Sequence, residues 1–247
     1  MRTQNKTFLH WVTVLLICAL CFGTACSWGG TEEPTPTATP VPKVKVGDTL
    51  YFGAYEQDDN TNNGKEAIQW RVLDVQDGKA LLISEKALDS QPYNTSFTSV
   101  TWETCTLRQW LNGTFLNNAF SADEQAKIVT TTVSADKNPQ YSTNPGNATN
   151  DKVFLLSIAE AQKYFTTDES RMCASTAYAK AQGASTCNSY LYQTASGEAT
   201  CWWWLRSPGC SQDIAAFVYD DGSVRNRGLF VSSADDCVRP AMWITLD

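Results

Sequence analysis

Residues 201–228 read CWWWLRSPGCSQDIAAFVYDDGSVRNRG, and the fold turns on how this stretch is taken. Three consecutive tryptophans, Trp202, Trp203 and Trp204, would suit a platform for a sugar ring or a base, or they belong to the framework. Side chains alternate along a strand, so Trp202 and Trp204 share one face and Trp203 takes the other. Leu205 follows, and Arg206-Ser207-Pro208-Gly209 then turns the chain. The run Ile214 to Tyr219 is apolar, and Asp220-Asp221-Gly222 is turn chemistry before a second extended run. The stretch therefore reads as strand, turn, hairpin. Ala216 and Val218 are expected to face the core, with Phe217 and Tyr219 on the opposite face. Most of the triplet reads as framework, with Trp203 contributing at its edge. Arg206 and Arg239 are expected to be held by carboxylates or backbone carbonyls.

Working outward, the last strand is VRPAMWITL, residues 238–246. Upstream, the pattern turns β-like at Val44, and Trp70 to Ser84 form a hairpin about Asp77-Gly78. Between them lies DDNTNNGKE, residues 58–66. Asp58, Asn60 and Asn62 alternate as in a calcium loop, but Gly64 comes one place late and no Glu closes the frame. A solvated hairpin loop fits better. Cys105, Leu107, Trp110, Leu111 and Phe115 fall on one face of a helix. Ser121 with Glu124, and Ser157 with Glu160, are capping boxes that open further helices. Residues 129–152 are polar and rich in Asn, Pro and Thr, a long loop, and Val153 to Leu156 read as a buried strand. No internal repeat is present. Residues 44–247 make one α+β domain with short antiparallel strands, two main helices and long loops.

The N-terminus has the layout of an export signal. Arg2 and Lys6 precede an apolar run from Phe8 to Phe22, too short for a comfortable membrane span. Gly23-Thr24-Ala25-Cys26 resembles a lipobox, which makes residues 1–25 a signal peptide and Cys26 the lipidation site. Residues 26–43 then form a Thr/Pro-rich linker of extended, semi-stiff character. Lipid, spacer, domain is the order of a module held off a membrane, and the expected location is the extracellular face of a bacterial envelope.

Composition excludes several functions. Of 19 basic and 26 acidic residues, Arg2 and Lys6 leave with the leader, so the mature net charge is −9. An acidic domain without a Lys/Arg stripe is a poor nucleic-acid binder. The single histidine is His10, inside the leader. The mature chain thus has neither a Ser-His-Asp or Cys-His apparatus nor a histidine metal ligand. Cys18 and Cys21 leave with the leader and Cys26 takes lipid. Cys105, Cys173, Cys187, Cys201, Cys210 and Cys237 remain, and six cysteines allow about 15 pairings. None forms a CxxC pair. Buried thiols are the alternative to disulfides.

The segments IQWRVLDVQDGKALLISEKALDSQPYN, TWETCTLRQWLN, VFLLSIAEAQKYF, WWWLRSPG and CVRPAMWI together resemble a bacterial extracellular domain family of unknown function, over nearly the whole chain from Val44. That family is similar in its C-terminal half to the C-type-lectin-like fold, shared by formylglycine-generating enzymes and by retroelement-diversified display proteins. Val238-Arg239-Pro240 matches the closing motif of that fold, with Val238 where an aromatic is usual. The resemblance implies a fixed framework carrying variable display positions. Retroelement copying alters Asn codons in ways that never yield Lys, Glu, Met, Trp or Gln, and residues 210–237 contain none of the first four. Gln212 is the exception to that pattern. The enzymes of this fold use a cysteine pair with copper; Cys210 and Cys237 are the candidates here, although a disulfide or two thiols is the simpler account.

The expected function is thus a tethered, non-catalytic binding domain without cofactor, whose partner is a protein or glycan. Its ligand surface would comprise Ser211, Asp213, Phe217, Tyr219, Asp220, Arg225, Asn226, Arg227, Leu229, Phe230, Ser232, Ser233, Asp235 and Asp236. Aromatic rings, arginines and small polar groups are what contact surfaces favour. The adjacent acids Asp220/Asp221 and Asp235/Asp236 read as solvated turn residues, without support for glycosidase chemistry. The alternatives are a secreted carbohydrate-binding lectin module or an enzyme of the formylglycine-generating kind.

Overall fold

The hairpin expected about Asp77-Gly78 is the centre of the first sheet. Strand β1 (Thr49–Tyr55) pairs with β2 (Glu66–Gln76), which turns into β3 (Lys79–Ser84). Asp77 and Gly78 both have positive φ, 50° and 70°, the geometry of a tight turn whose twist matches the strands. A computed structural model describes residues 43–187 and 192–246. The signal peptide, Cys26 and all but the last residue of the linker lie outside the described residues.

The short strand β4 (Asp89–Ser90) leads to the first helical segment. Helix α1 (Thr106–Trp110) continues through a wider π turn at Leu111–Phe115 into α2 (Leu116–Ala119). Leu107, Leu111, Phe115 and Leu116 are buried along it, as their spacing requires. Helix α3 (Ala122–Lys127) opens on the expected box between Ser121 and Glu124. The long polar segment carries a small ladder of β5 (Thr131–Val133) and β6 (Thr149–Asp151). Val153 to Leu156 are buried, but they form an isolated bridge, Phe154 to Ala241, rather than a full strand. Ser157 and Glu160 then box α4 (Ile158–Tyr164). Helices α5 (Asp168–Arg171) and α6 (Ala177–Ala181) follow. No described helix is long and apolar enough to cross a membrane.

The C-terminal part builds the second sheet from β7 (Trp203–Pro208), β8 (Ile214–Val218), β9 (Val224–Phe230) and β10 (Cys237–Val238). Its order is β4-β10-β7-β8-β9, antiparallel except where β10 runs parallel to β7. Strand β11 (Ala241–Thr245) returns to the first sheet beside β3, giving β1-β2-β3-β11. The fold is therefore α+β with mostly antiparallel strands.

Two buried arginines brace the fold. Arg239 is 1% exposed. Its Nε donates to Ser84 O at 3.0 Å, Nη1 to Arg171 O and Nη2 to Glu85 O. The guanidinium lies between the rings of Trp203, 5.1 Å away, and Phe165, 5.2 Å away. It is thus held by carbonyls and aromatic faces. Arg206 is ion-paired to Glu160 and to Asp136, and donates to Leu155 O at 2.9 Å. Glu160 consequently serves both its helix cap and the central strand.

Candidate functional site

The register of the second sheet distributes the tryptophans. Trp203 stands opposite Val218, and Trp204 opposite Phe217. Trp202 therefore faces Tyr219 across the ladder, on the face shared with Trp204 and Phe217. Trp203 and Trp204 are both fully buried. Trp203 Nε1 donates to Arg171 O at 3.2 Å, and Trp204 Nε1 to Gln91 O at 3.0 Å. They are framework, as alternation suggested, but it is Trp202 and not Trp203 that reaches the surface, half-buried.

Trp202 stacks on Tyr219 with ring centroids 4.9 Å apart and planes at 30°. The Arg225 guanidinium covers Tyr219 at 4.5 Å. Asp221 Oδ2 approaches Arg225 Nη2 at 3.4 Å, while its Oδ1 accepts from Ser223 N at 2.8 Å. Phe217 packs beside the stack, 5.8 Å from the Trp202 ring. Desolvation raises the Tyr219 phenol above its ordinary value, so the group is a neutral donor at physiological pH. The faces of these rings are used on one another. What the stack offers a partner is ring edges, a phenol and a guanidinium, already ordered.

A second aromatic patch lies at the other end of β9. Phe97 and Phe230 meet edge to face at 5.2 Å and are 58% and 52% exposed. Backbone bonds from Asn94 N to Val231 O, 2.8 Å, and from Val231 N to Asp213 O, 2.9 Å, join the 94–100 segment to this end of the hairpin. Arg225 and Phe230 stand opposite Phe217 and Ile214 of β8, either side of a bulge in β9, so about 10 Å of sheet separates them.

The other expected site residues divide by burial. Arg227 and Asp235 are exposed; Ser211, Asp213, Asn226, Leu229, Ser232 and Ser233 are half-buried. Ser211 Oγ donates to Asp213 Oδ1 at 2.5 Å, closing the loop between β7 and β8. Asn226 O accepts from Asn138 Nδ2 at 2.7 Å, so part of the outer edge of β9 is already bonded. Leu229 pairs with buried Ala215. Three residues are corrected outright: Phe217, Asp220 and Asp236 are 5%, 7% and 0% exposed. Phe217 does point away from Ala216 and Val218, but the aromatic stack covers it. Asp236 is covered too, and burial, reinforced by neighbouring Asp235, pushes its carboxyl well above the usual carboxylate range.

Cys210 and Cys237 do not form a pair. Cys237 lies beside Trp203 at the start of β7, and Cys210 follows its far end. The Cys237 thiol lies beside that of Cys201 instead. In the first sheet's hairpin loop, carboxylate oxygens of Glu56, Asp58 and Glu66 lie within 4.8 Å of one another. Asn60 N, Asn63 Nδ2 and Gln57 N bond them respectively at 3.0, 2.7 and 2.7 Å. Glu56 and Glu66 play no part in the calcium-like alternation, so that pattern did not foretell the cluster.

The model of DUF6273, a domain of unknown function, matches residues 77–246. The chain belongs to the DUF6273 family. The matched part of this DUF6273 chain runs from the turn of the first hairpin through β11, and so takes in Arg206, Arg239 and the aromatic hairpin. No curated protein and no solved structure matches the chain.

Sequence reasoning missed Trp202, Phe97 and Asp221. Alternation alone could have placed Trp202 on the face of Phe217 and Tyr219 had the register of β7 against β8 been known. Phe97 carried no signal, because its contact with Phe230 joins segments far apart in the chain.

Proposed function

We propose that this chain is a lipid-anchored, non-catalytic binding domain with a C-type-lectin-like fold, displayed at the extracellular face of a bacterial envelope. The observation that carries the reading is the ordered stack of Trp202, just before β7, against Tyr219 and Arg225 of the β8–β9 hairpin. Trp, Tyr and Arg are the residue types on which binding energy concentrates, and rings already held in place lose little entropy on contact. The ligand in this reading is a protein or a glycan. The finer fold reading draws support from the terminal strands β1 and β11 sharing one sheet.

The cysteines support a non-catalytic role. Burial raises the thiols of Cys173, Cys201 and Cys237, and pushes Cys105 up to about 12. Thiolate is the reactive form, so these groups are poorly suited to nucleophilic or metal chemistry at neutral pH. If a retroelement diversifies the hairpin, the variable positions are those whose side chains leave the core intact: Tyr219, Arg225, Arg227, Phe230 and Asp235. A reverse-transcriptase gene beside a near-identical, Asn-rich copy of the 3′ end is the genomic counterpart.

The test is binding on protein and glycan arrays, followed by Trp202→Ala, Tyr219→Ala and Arg225→Ala. Each is expected to weaken the strongest interaction at least tenfold, on the order of 1.4 kcal/mol. Affinities unchanged in all three variants would place the ligand surface elsewhere.

A further inference from the structure

Three of the six domain cysteines converge behind the central strand. Cys173, Cys201 and Cys237 are 1%, 1% and 0% exposed. The Cys201 thiol touches those of both Cys173 and Cys237. A soft-metal site would need the three sulfurs around one point, as in Zn or Cu(I) thiolate centres. They do not form a cluster within 4.8 Å; among the described residues only the Glu56, Asp58 and Glu66 group does. The buried Arg239 guanidinium lies close enough to Cys173 and Cys201 to act on both thiols, and its charge opposes a cation there.

The backbone distinguishes the two neighbours of Cys201. Ala174 and Thr200 form an antiparallel bridge, which sets Cys173 directly opposite Cys201. Cys201 N donates to Cys173 O at 2.8 Å. Directly opposed residues of this kind have Cα atoms about 5.5 Å apart, inside the range of roughly 4.4–6.8 Å that a disulfide spans. Cys237 stands opposite Trp203, two residues further along. That diagonal is about 8 Å from the strand spacing and rise, beyond disulfide reach. Cys173 also lines a cleft of about 480 Å³ with Arg71, Glu85 and Ser196, so this end of the thiol row is the one nearest solvent.

We propose that Cys173 and Cys201 are a disulfide-forming pair, oxidised in the exported protein, with Cys237 remaining a thiol. The Sγ–H bonds of both residues break and one Sγ–Sγ bond forms. Two electrons and two protons pass to an external disulfide of the glutathione or oxidoreductase class, which is reduced to two thiols. The bond fastens the segment after α5 to the residue preceding Trp202, and so steadies the strand that carries the aromatic stack. The chemistry depends on the geometry of the pair and not on the binding reading.

The experiment uses the full chain, equilibrated in a series of oxidised and reduced glutathione mixtures, denatured with alkylating agent, digested and mapped by mass. The expected product is a peptide linked through Cys173 and Cys201, with Cys237 alkylated. The melting temperature should rise on oxidation in the wild type and in Cys237→Ser, and stay unchanged in Cys173→Ser. A Cys201–Cys237 link, or full alkylation of Cys173 and Cys201 in the most oxidising mixture, would overturn the proposal. Ligand binding that survives in Cys173→Ser would not bear on it, since the linked peptide is read directly.

Discussion

Asp236 is fully buried, and neither of its carboxylate oxygens has a hydrogen-bond partner among the described residues. An ionised carboxylate in that position costs several kcal/mol, so the folded state holds the acid in its neutral form. The unfolded chain releases this proton near pH 4. Above that value the folded state binds more protons than the unfolded one, and stability falls as pH rises toward the raised folded value. Asp89 has the same sign, since burial is its largest influence, opposed by donors that include Tyr55 Oη at 2.5 Å and Ser90 N at 2.7 Å. Glu124 and Glu198 are lowered and act the other way, but both are largely solvated. Asp236→Asn keeps the volume and removes the ionisation. Its melting temperature is expected to exceed the wild type by a few degrees at pH 8, with the gap closing toward pH 4, as about 1 kcal/mol moves a domain of this size by roughly 2–4 °C. Melting curves that stay parallel across that range would sink the assignment. Sequence reading put Asp236 at the surface because adjacent acids usually are. Its burial comes from chain segments distant in sequence, and local pattern carries no trace of them.

At the scale of elements, local chemistry was legible wherever one element ends and the next begins. The Asp77-Gly78 turn and the boxes at Ser121 and Ser157 are each complete within four residues, so sequence alone suffices to find them. The buried run from Val153 to Leu156 was read as a strand, yet its backbone meets β11 only at one bridge; apolar content reports burial, not pairing. The hairpin at Asp220-Asp221-Gly222 was legible as a turn but not as a packing contact. Gly222 has φ +79°, and a Cβ built there would stand 1.7 Å from Asp168 O. Its own carbonyl accepts from Arg171 Nε at 2.8 Å. The glycine is thus required twice, by conformation and by the approach of α5. Gly222→Ala is expected to cost about 2–4 kcal/mol by combining left-handed strain with displacement of α5. Gly78→Ala, where a Cβ meets nothing within 4 Å, should cost only about 1 kcal/mol. Chemical denaturation of the two variants checks the order; equal losses would mean that α5 gives way freely.

At the scale of the whole molecule, the working surface and the tether belong to one argument. In the proposed reading a contact surface made of ring edges and a guanidinium would gain by distance from the membrane, and a Thr/Pro-rich spacer of extended character would supply about 3 Å per residue. The anchor rests on Gly23-Thr24-Ala25-Cys26 and on the apolar run before it, whose length suits a cleaved signal better than a permanent span. One acyl chain gives only reversible attachment, and stable anchoring needs more than one, which the diacylated cysteine of a bacterial lipoprotein would supply. Cys26→Ser removes the acceptor thiol and leaves the domain from Val44 onward untouched. The variant is expected to leave the detergent phase of a Triton X-114 partition and to appear in the aqueous phase, with array binding and melting temperature as in the wild type. Wild-type chain that already partitions into water, or a variant that stays in the detergent phase, would remove the lipid anchor from the reading. The hairpin's binding role would stand in either case, because its test uses residues 202, 219 and 225 and no part of the tether.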